Sequence, residues 1–198
     1  MKAMLKKRLV PVVAIAATAG LLLSGCSGAG GGETKEIKIG VLATDKGNLA
    51  FGMDEAKAAI GVSMAAIGGT IDGGEINGVP VTIVYEGTDG TSASAQTAVK
   101  KLVENDGVDI VFGPVSGDEG ETVVQYALTT PEVTYVNGSA SPVGMTLAGA
   151  TNFFRFHGDS AMWMGGLGDY AYNEKGYKKI YAIAEDYSFP YDNAGGFF

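Results

Sequence analysis

The chain has a single cysteine, so no internal disulfide can hold it together. It has a single histidine, which leaves no second imidazole and no neighbouring thiol to build a metal site around it. Positive charge is scarce, with 14 Lys and Arg against 22 Asp and Glu and a formal net charge of -8. Four of the basic residues and none of the acids fall in the first 25 residues. From residue 26 onward, ten basic residues therefore face 22 acidic ones, a formal charge of -12. Nucleic-acid binding needs a basic surface, and that balance excludes it. No GxxxxGK[ST] phosphate loop and no GxSxG nucleophile elbow occurs anywhere in the chain. The one long apolar run, 10–23, falls short of the ~20 residues a membrane-spanning helix needs and is rich in small side chains.

What is present begins with an export signal. Lys2, Lys6, Lys7 and Arg8 precede the apolar run, which ends in Leu23-Ser24-Gly25-Cys26. This is similar to the lipobox of bacterial lipoproteins, in which small residues before the cysteine fit the signal peptidase. The only cysteine sits where that motif needs it. Residues 1–25 are thus expected to be a signal peptide and Cys26 a lipidated N-terminus. Residues 26–35 are expected to form a flexible Gly/Ser tether, with Ser27 to Gly32 offering nothing to a core. The resulting localisation is exported and lipid-anchored to the cell membrane, on its periplasmic or extracellular face.

The rest is rich enough in apolar residues to fold, at 46% of the chain, and 31 glycines point to many tight turns. Apolar runs at Ile37 to Ala43, Val79 to Tyr85, Val108 to Phe112 and Val133 to Val136 read as strands buried on both faces. Phe153 to Phe156 and Lys179 to Ala184 read as further strands. Helical spacing marks Met53 to Ile67, Thr91 to Asn105, Glu121 to Thr129 and Ala161 to Lys175. The alternation predicts an α/β fold, a Rossmann-like parallel sheet flanked by helices. Ligands of such sheets sit beyond the carboxyl ends of the strands. That rule selects the loops 44–51, 86–90, 113–120 and 137–142, and after the later strand 185–191.

Chemistry for catalysis is thin. His157 stands alone. Gly166-Leu-Gly168-Asp-Tyr-Ala171 spells a dinucleotide fingerprint but lies inside a helical stretch rather than after a strand. Asp118, Glu119 and Glu121 flank a helix start, where carboxylates suit the dipole. No enzyme activity, cofactor or metal is expected. Two loops suit a small polar ligand. Gly113-Pro-Val-Ser116-Gly117 offers backbone N–H groups, a hydroxyl and a helix N-terminus that favours a carboxylate. Asn137-Gly-Ser139-Ala140-Ser141 offers two more hydroxyls. The same residues also simply make turns.

The order of segments resembles the leucine-binding family of type I periplasmic binding proteins, the solute receptors of branched-chain amino-acid-type ABC importers. IKIGVLA from Ile37, Phe51-Gly52, DIVFGPVSG from Asp109, VTYVNGSAS from Val133, FFRF from Phe153 and KGYKKIYAIAEDYSFPY from Lys175 carry the likeness. The resemblance implies a ligand gripped between two lobes. It places Ser116, Gly117, Ser139, Ala140 and Ser141 at its carboxylate and ammonium, with Phe51 as an aromatic neighbour. Tyr187 and Phe189 fall in the loop that supplies an aromatic wall, and which of the two faces the ligand stays open. The first loop, TDKGNLAFG, lacks the family's SGP stretch. Gly117 stands where some members carry Ser, so contact there is through backbone.

The implied division is 36–156 for an incomplete first lobe and 157–198 for the start of a second. Complete members run to roughly twice this length. The chain is therefore expected to be truncated, to leave apolar sheet faces exposed, and to be unable to close on ligand. The implied function is capture of a small amino acid or related polar solute (a branched-chain amino acid, an amide or a small acid) for an ABC permease. The alternative is a lipid-anchored ligand-sensing domain of a signalling system.

Overall fold

A computed structural model of the protein describes residues 35–198. The signal segment, the lipobox with Cys26 and the tether lie outside the described residues. Strand β1 (Ile37–Thr44) occupies the middle of a six-stranded sheet. Helix α1 (Gly52–Ala65) follows, then strands β2 (Gly73–Ile76) and β3 (Val79–Thr88), then helix α2 (Ser92–Lys100), which runs on through a π-type turn, Lys101–Asn105. Strand β4 (Ile110–Phe112), helix α3 (Gly117–Ala127), strand β5 (Thr134–Asn137), helix α4 (Val143–Leu147) and strand β6 (Phe153–Arg155) complete the sheet region. The strand order is β2-β3-β1-β4-β5-β6, and all pairs but β2–β3 are parallel.

The two faces of the sheet carry separate cores. Leu42, Val111 and Tyr135 meet Val99, Leu102, Val123 and Ala127 of α2 and α3. Gly40 permits that approach, because a Cβ there would lie 3.1 Å from the Leu102 side chain. On the opposite face Val41, Val81 and Ile83 pack on Met64, with Ile60 of α1 beside them. Strand alternation sends neighbouring residues to opposite cores, so continuous apolar runs were needed. The α1 side is covered only over β1 and β3. Phe112 and Phe154 stay exposed on it, and a groove of about 540 Å³ runs between α1 and the open sheet, reaching Gly138 and Ser139. The expected exposed sheet face is thus present.

Five element assignments from sequence require correction. The glycines after α1 do more than end it. Asn77 (φ 51°) and Gly78 (φ 81°) make the two-residue turn of an antiparallel β2–β3 hairpin, which Asn-Gly favours because both positions need positive φ. Helix α3 starts at Gly117 rather than Glu121. The helix expected over 161–175 is broken into α5 (Ser160–Met164) and α6 (Leu167–Asp169), the latter continued by a π-type turn, Tyr170–Glu174. The break falls at Gly165-Gly166, with Gly166 at φ 82°. The strand expected over 179–184 does not form. No strand lies beside it among the described residues, its backbone has no ladder to join, and Ile183 is 100% exposed. The loop expected over 185–191 instead turns into helix α7 (Ser188–Phe197). No described helix is long and apolar enough to cross a membrane.

Candidate functional site

The sheet's direction of winding reverses beside β1, with β3 on one flank and β4 on the other. Such a switch point opens a crevice at the carboxyl edge, between the loops after β1 and β4. The loops after β1, β3 and β4 are tied together there by a residue the sequence reading placed only at a helix start. The Glu119 side chain is fully buried, at 0% exposure. Its Oε2 accepts from Thr44 Oγ1 at 3.0 Å and from the Ser116 N–H at 3.4 Å, and its Oε1 accepts from the Gly90 N–H at 2.9 Å. One carboxylate thus joins the ends of three strands. The signal was legible: Ser116 and Glu119 stand at the S-x-x-E spacing of a capping box, which also dates the helix start correctly.

Asn137 performs the matching task after β5. It is buried, donates from Nδ2 to Pro114 O at 2.9 Å, and accepts the Ser139 N–H on Oδ1 at 3.1 Å. The β4 and β5 loops are therefore hydrogen-bonded to each other. Arg155 anchors the next turn. Its Nη1 donates to Pro142 O at 2.7 Å and its Nη2 to Thr146 Oγ1, while Asp159 stands 4.0 Å away. Burial lowers the guanidinium's pKa, against the opposing fields of Asp159 and Asp192. Ser160 is wholly buried and donates to Ser141 O twice, from Oγ at 3.0 Å and from N at 2.9 Å. That pair pins the start of α5 onto the β5 loop.

The residues singled out from sequence gather at this edge, in unequal states. Ser116 is buried and donates its hydroxyl to Gly90 O at 3.1 Å; Ser141 donates to Ser139 O at 2.8 Å. Both hydroxyls shape loops. Ala140 turns into a small core with Val124 and Met145. Ser139 is exposed, and Gly117 begins α3. Phe51 is half exposed just before α1, whose Gly52 abuts Val115: a Cβ at Gly52 would lie 2.9 Å from the Val115 side chain.

From the other side comes α7. The Ser188 N–H donates to Asp118 Oδ1 at 3.1 Å, and a Cβ at Gly117 would lie 2.6 Å from Ser188 Oγ. Tyr187 and Phe189 stack on one another at 6.1 Å between centroids. They also line a cavity of about 460 Å³ with residues 180–185, which Ser116 and Ser139 do not share. Burial, reinforced by Glu185 and Asp118, raises the Tyr187 pKa. No group of three or more metal-ligating side chains occurs among the described residues. The letters of the dinucleotide fingerprint at 166–171 span α6 and its π-type turn, and helix α5 rather than a strand directly precedes them.

Three carboxylates border the edge. Burial, then the charges of Asp192 and Asp118, raise the Glu121 pKa above its ordinary 4.5. The folded chain therefore holds that proton more tightly than the unfolded chain. Its stabilising effect is full below the unfolded value and is lost as pH rises through the folded one, so the ionised group opposes folding at pH 7. Glu121→Gln is expected to raise the melting temperature at pH 7 by about 1–2 °C, after discounting for solvent screening, and by nothing at pH 3.5. Thermal melts at the two pH values check this.

The family profile of periplasmic binding proteins matches residues 36–197. A comparison with curated proteins finds no match. Among solved structures, an ABC transporter solute binding protein from R. palustris in complex with benzoate superposes with a TM-score of 0.71 at 21% identity. A second R. palustris solute binding protein, in complex with 4-hydroxybenzoate, gives 0.68 at 20%. The branched-chain amino acid transporter substrate binding protein LivJ from Streptococcus pneumoniae, in complex with isoleucine, gives 0.63 at 25%. Each alignment covers 82% of this chain and 44%, 42% and 46% of the respective structure, so the chain spans less than half the length of the structures it matches. The matched stretch takes in the whole six-stranded sheet and the loops at its carboxyl edge, and the chain belongs to the periplasmic binding protein family.

Proposed function

We propose that the protein is an extracytoplasmic solute-binding lipoprotein that captures a small amino acid or small organic acid for an ABC permease. The observation that carries this is the hydrogen-bonded pairing of the β4 and β5 loops at the switch point, through Asn137 and Pro114. It holds the N-terminal N–H groups of α3 and the exposed Ser139 at one edge, where a carboxylate finds donors and a partial positive charge. Of the residues named from sequence, Gly117 and Ser139 meet the ligand directly. Ser116, Ala140 and Ser141 shape the loops that present them. Tyr187 and Phe189 approach from the α7 side, and Phe51 stands at the rim. The relatives crystallised with benzoate, 4-hydroxybenzoate and isoleucine bracket the ligand class.

Uptake of labelled isoleucine and benzoate in a strain lacking the gene tests the role. Loss of uptake of one of them to the level of a permease deletion supports it; unchanged uptake of both contradicts it. The lipid anchor has its own test. Cys26→Ser is expected to move the protein from the membrane fraction to the soluble one, and retention in the membrane fraction contradicts lipidation.

A further inference from the structure

Four aromatic rings stand in a row at the carboxyl edge of the sheet. His157 lies 6.0 Å from Trp163, Trp163 meets Phe189 edge-on at 5.8 Å, and Phe189 stacks on Tyr187 at 6.1 Å. Both ends of the row are attached to the loops described above. At one end His157 Nε2 lies 3.2 Å from Asn137 Oδ1, and Nδ1 lies 2.7 Å from Gly158 O. At the other end Ser188, between Tyr187 and Phe189, is bonded to Asp118 and abuts Gly117. The row therefore bridges the β5 loop and the start of α3.

Trp163 is the centre of that bridge. It lies one turn beyond Ser160, whose two hydrogen bonds to Ser141 O fix the helix on the ligand loop. Gly158 makes room for its indole, since a Cβ there would lie 3.1 Å from Trp163 Nε1. Yet 50% of Trp163 remains exposed. A large aromatic surface is thus held beside the loops and left open, while its neighbours Tyr187 and Phe189 are half-buried. An indole face or edge best receives another flat ring, in an offset or edge-to-face arrangement. Phe51, the aromatic residue of the β1 loop, belongs to no ring pair among the described residues.

We infer that Trp163 is a specificity-determining residue of the site and selects a solute whose carboxylate is carried on a planar aromatic ring. This role rests on the solute-binding reading of the site. The test is a set of binding titrations of the full chain, followed by backbone amide NMR shifts, with benzoate and isoleucine as probes. Wild type is expected to prefer benzoate. Trp163→Ala and Trp163→Leu are expected to lower the benzoate-to-isoleucine affinity ratio about three- to tenfold, and Trp163→Phe to restore most of it. The leucine variant keeps apolar bulk at the position, so a loss in both variants follows the ring and not a misfolded helix. A ratio unchanged in both, or a wild type that binds isoleucine and not benzoate, overturns the role of Trp163 and leaves the solute-binding reading standing. Wild type that binds neither probe overturns both.

Discussion

Glu119→Ala is expected to lower the stability of the protein more than any other single truncation at the carboxyl edge. The carboxylate accepts hydrogen bonds from Thr44 at the end of β1 and from Gly90 and Ser116 in the loops after β3 and β4. Removing it strands buried donors, each costing about 1–3 kcal/mol when left without an acceptor. A net loss of about 3–4 kcal/mol follows, or about 10 °C in melting temperature for a domain of this size. Glu119→Gln keeps the volume and one acceptor oxygen for the Thr44 and Ser116 donors, but turns its amide NH₂ toward the Gly90 N–H. It is expected to recover about half the loss. Thermal melts of the two variants measure this directly. A Glu119→Ala melt within about 2 °C of wild type would show that the three loops are held by something else.

Gly120→Val is expected to have the second largest effect, and to act through the other half of the edge. Gly120 lies on the side of α3 that touches the β5 loop. A Cβ there would stand 2.7 Å from Ala140 Cβ and 2.7 Å from Met145 Sδ, distances that packed atoms do not tolerate. Valine must push α3 away from the loop, at a cost of about 1–3 kcal/mol for overpacking. It also separates Gly117 from Ser139, so any binding of small acids should vanish along with the lost stability. Gly138 gives the internal control. It lies in the same loop with nothing within 4 Å of its Cβ position. Gly138→Ala should therefore stay within about 0.5 kcal/mol of wild type, the range of ordinary surface changes. Equal melting temperatures for the two variants would contradict the close contact between α3 and the β5 loop.

The sheet was legible in the sequence because its strands are buried on both faces. Ile37 to Ala43 must feed two cores at once, and only an unbroken apolar run does so. The Asn77-Gly78 hairpin was also written in the chain, yet the surrounding glycines read as helix punctuation. The segment 179–184 shows the opposite limit. Its composition suits a strand, but a strand exists only with a neighbour, and none of the described residues provides one.

At the carboxyl edge, residue types pointed to loops that the structure hydrogen-bonds together, and not to the bonds each side chain makes. Ser116 and Ser141 read as ligand donors, while in the structure their hydroxyls are committed to Gly90 O and Ser139 O. Short polar side chains in turns favour such local bonds, and composition alone does not separate them from contacts to a ligand. Glu119 and Ser160 escaped notice for a related reason. Their partners lie across the fold, at Thr44 and Gly90 for one and at Ser141 for the other. Trp163 was hidden inside an expected continuous helix, which Gly165 and Gly166 interrupt.

The most direct test of the account follows amide shifts of the full chain as a small carboxylate is added. With benzoate or isoleucine at concentrations up to roughly millimolar, the weak range for a site held from few sides, shifts should concentrate at Gly117, Asp118, Gly138 and Ser139. Shifts confined to residues 55–64 of α1 or to residues 180–185, or none for either compound, would contradict a ligand site at the carboxyl edge of the sheet.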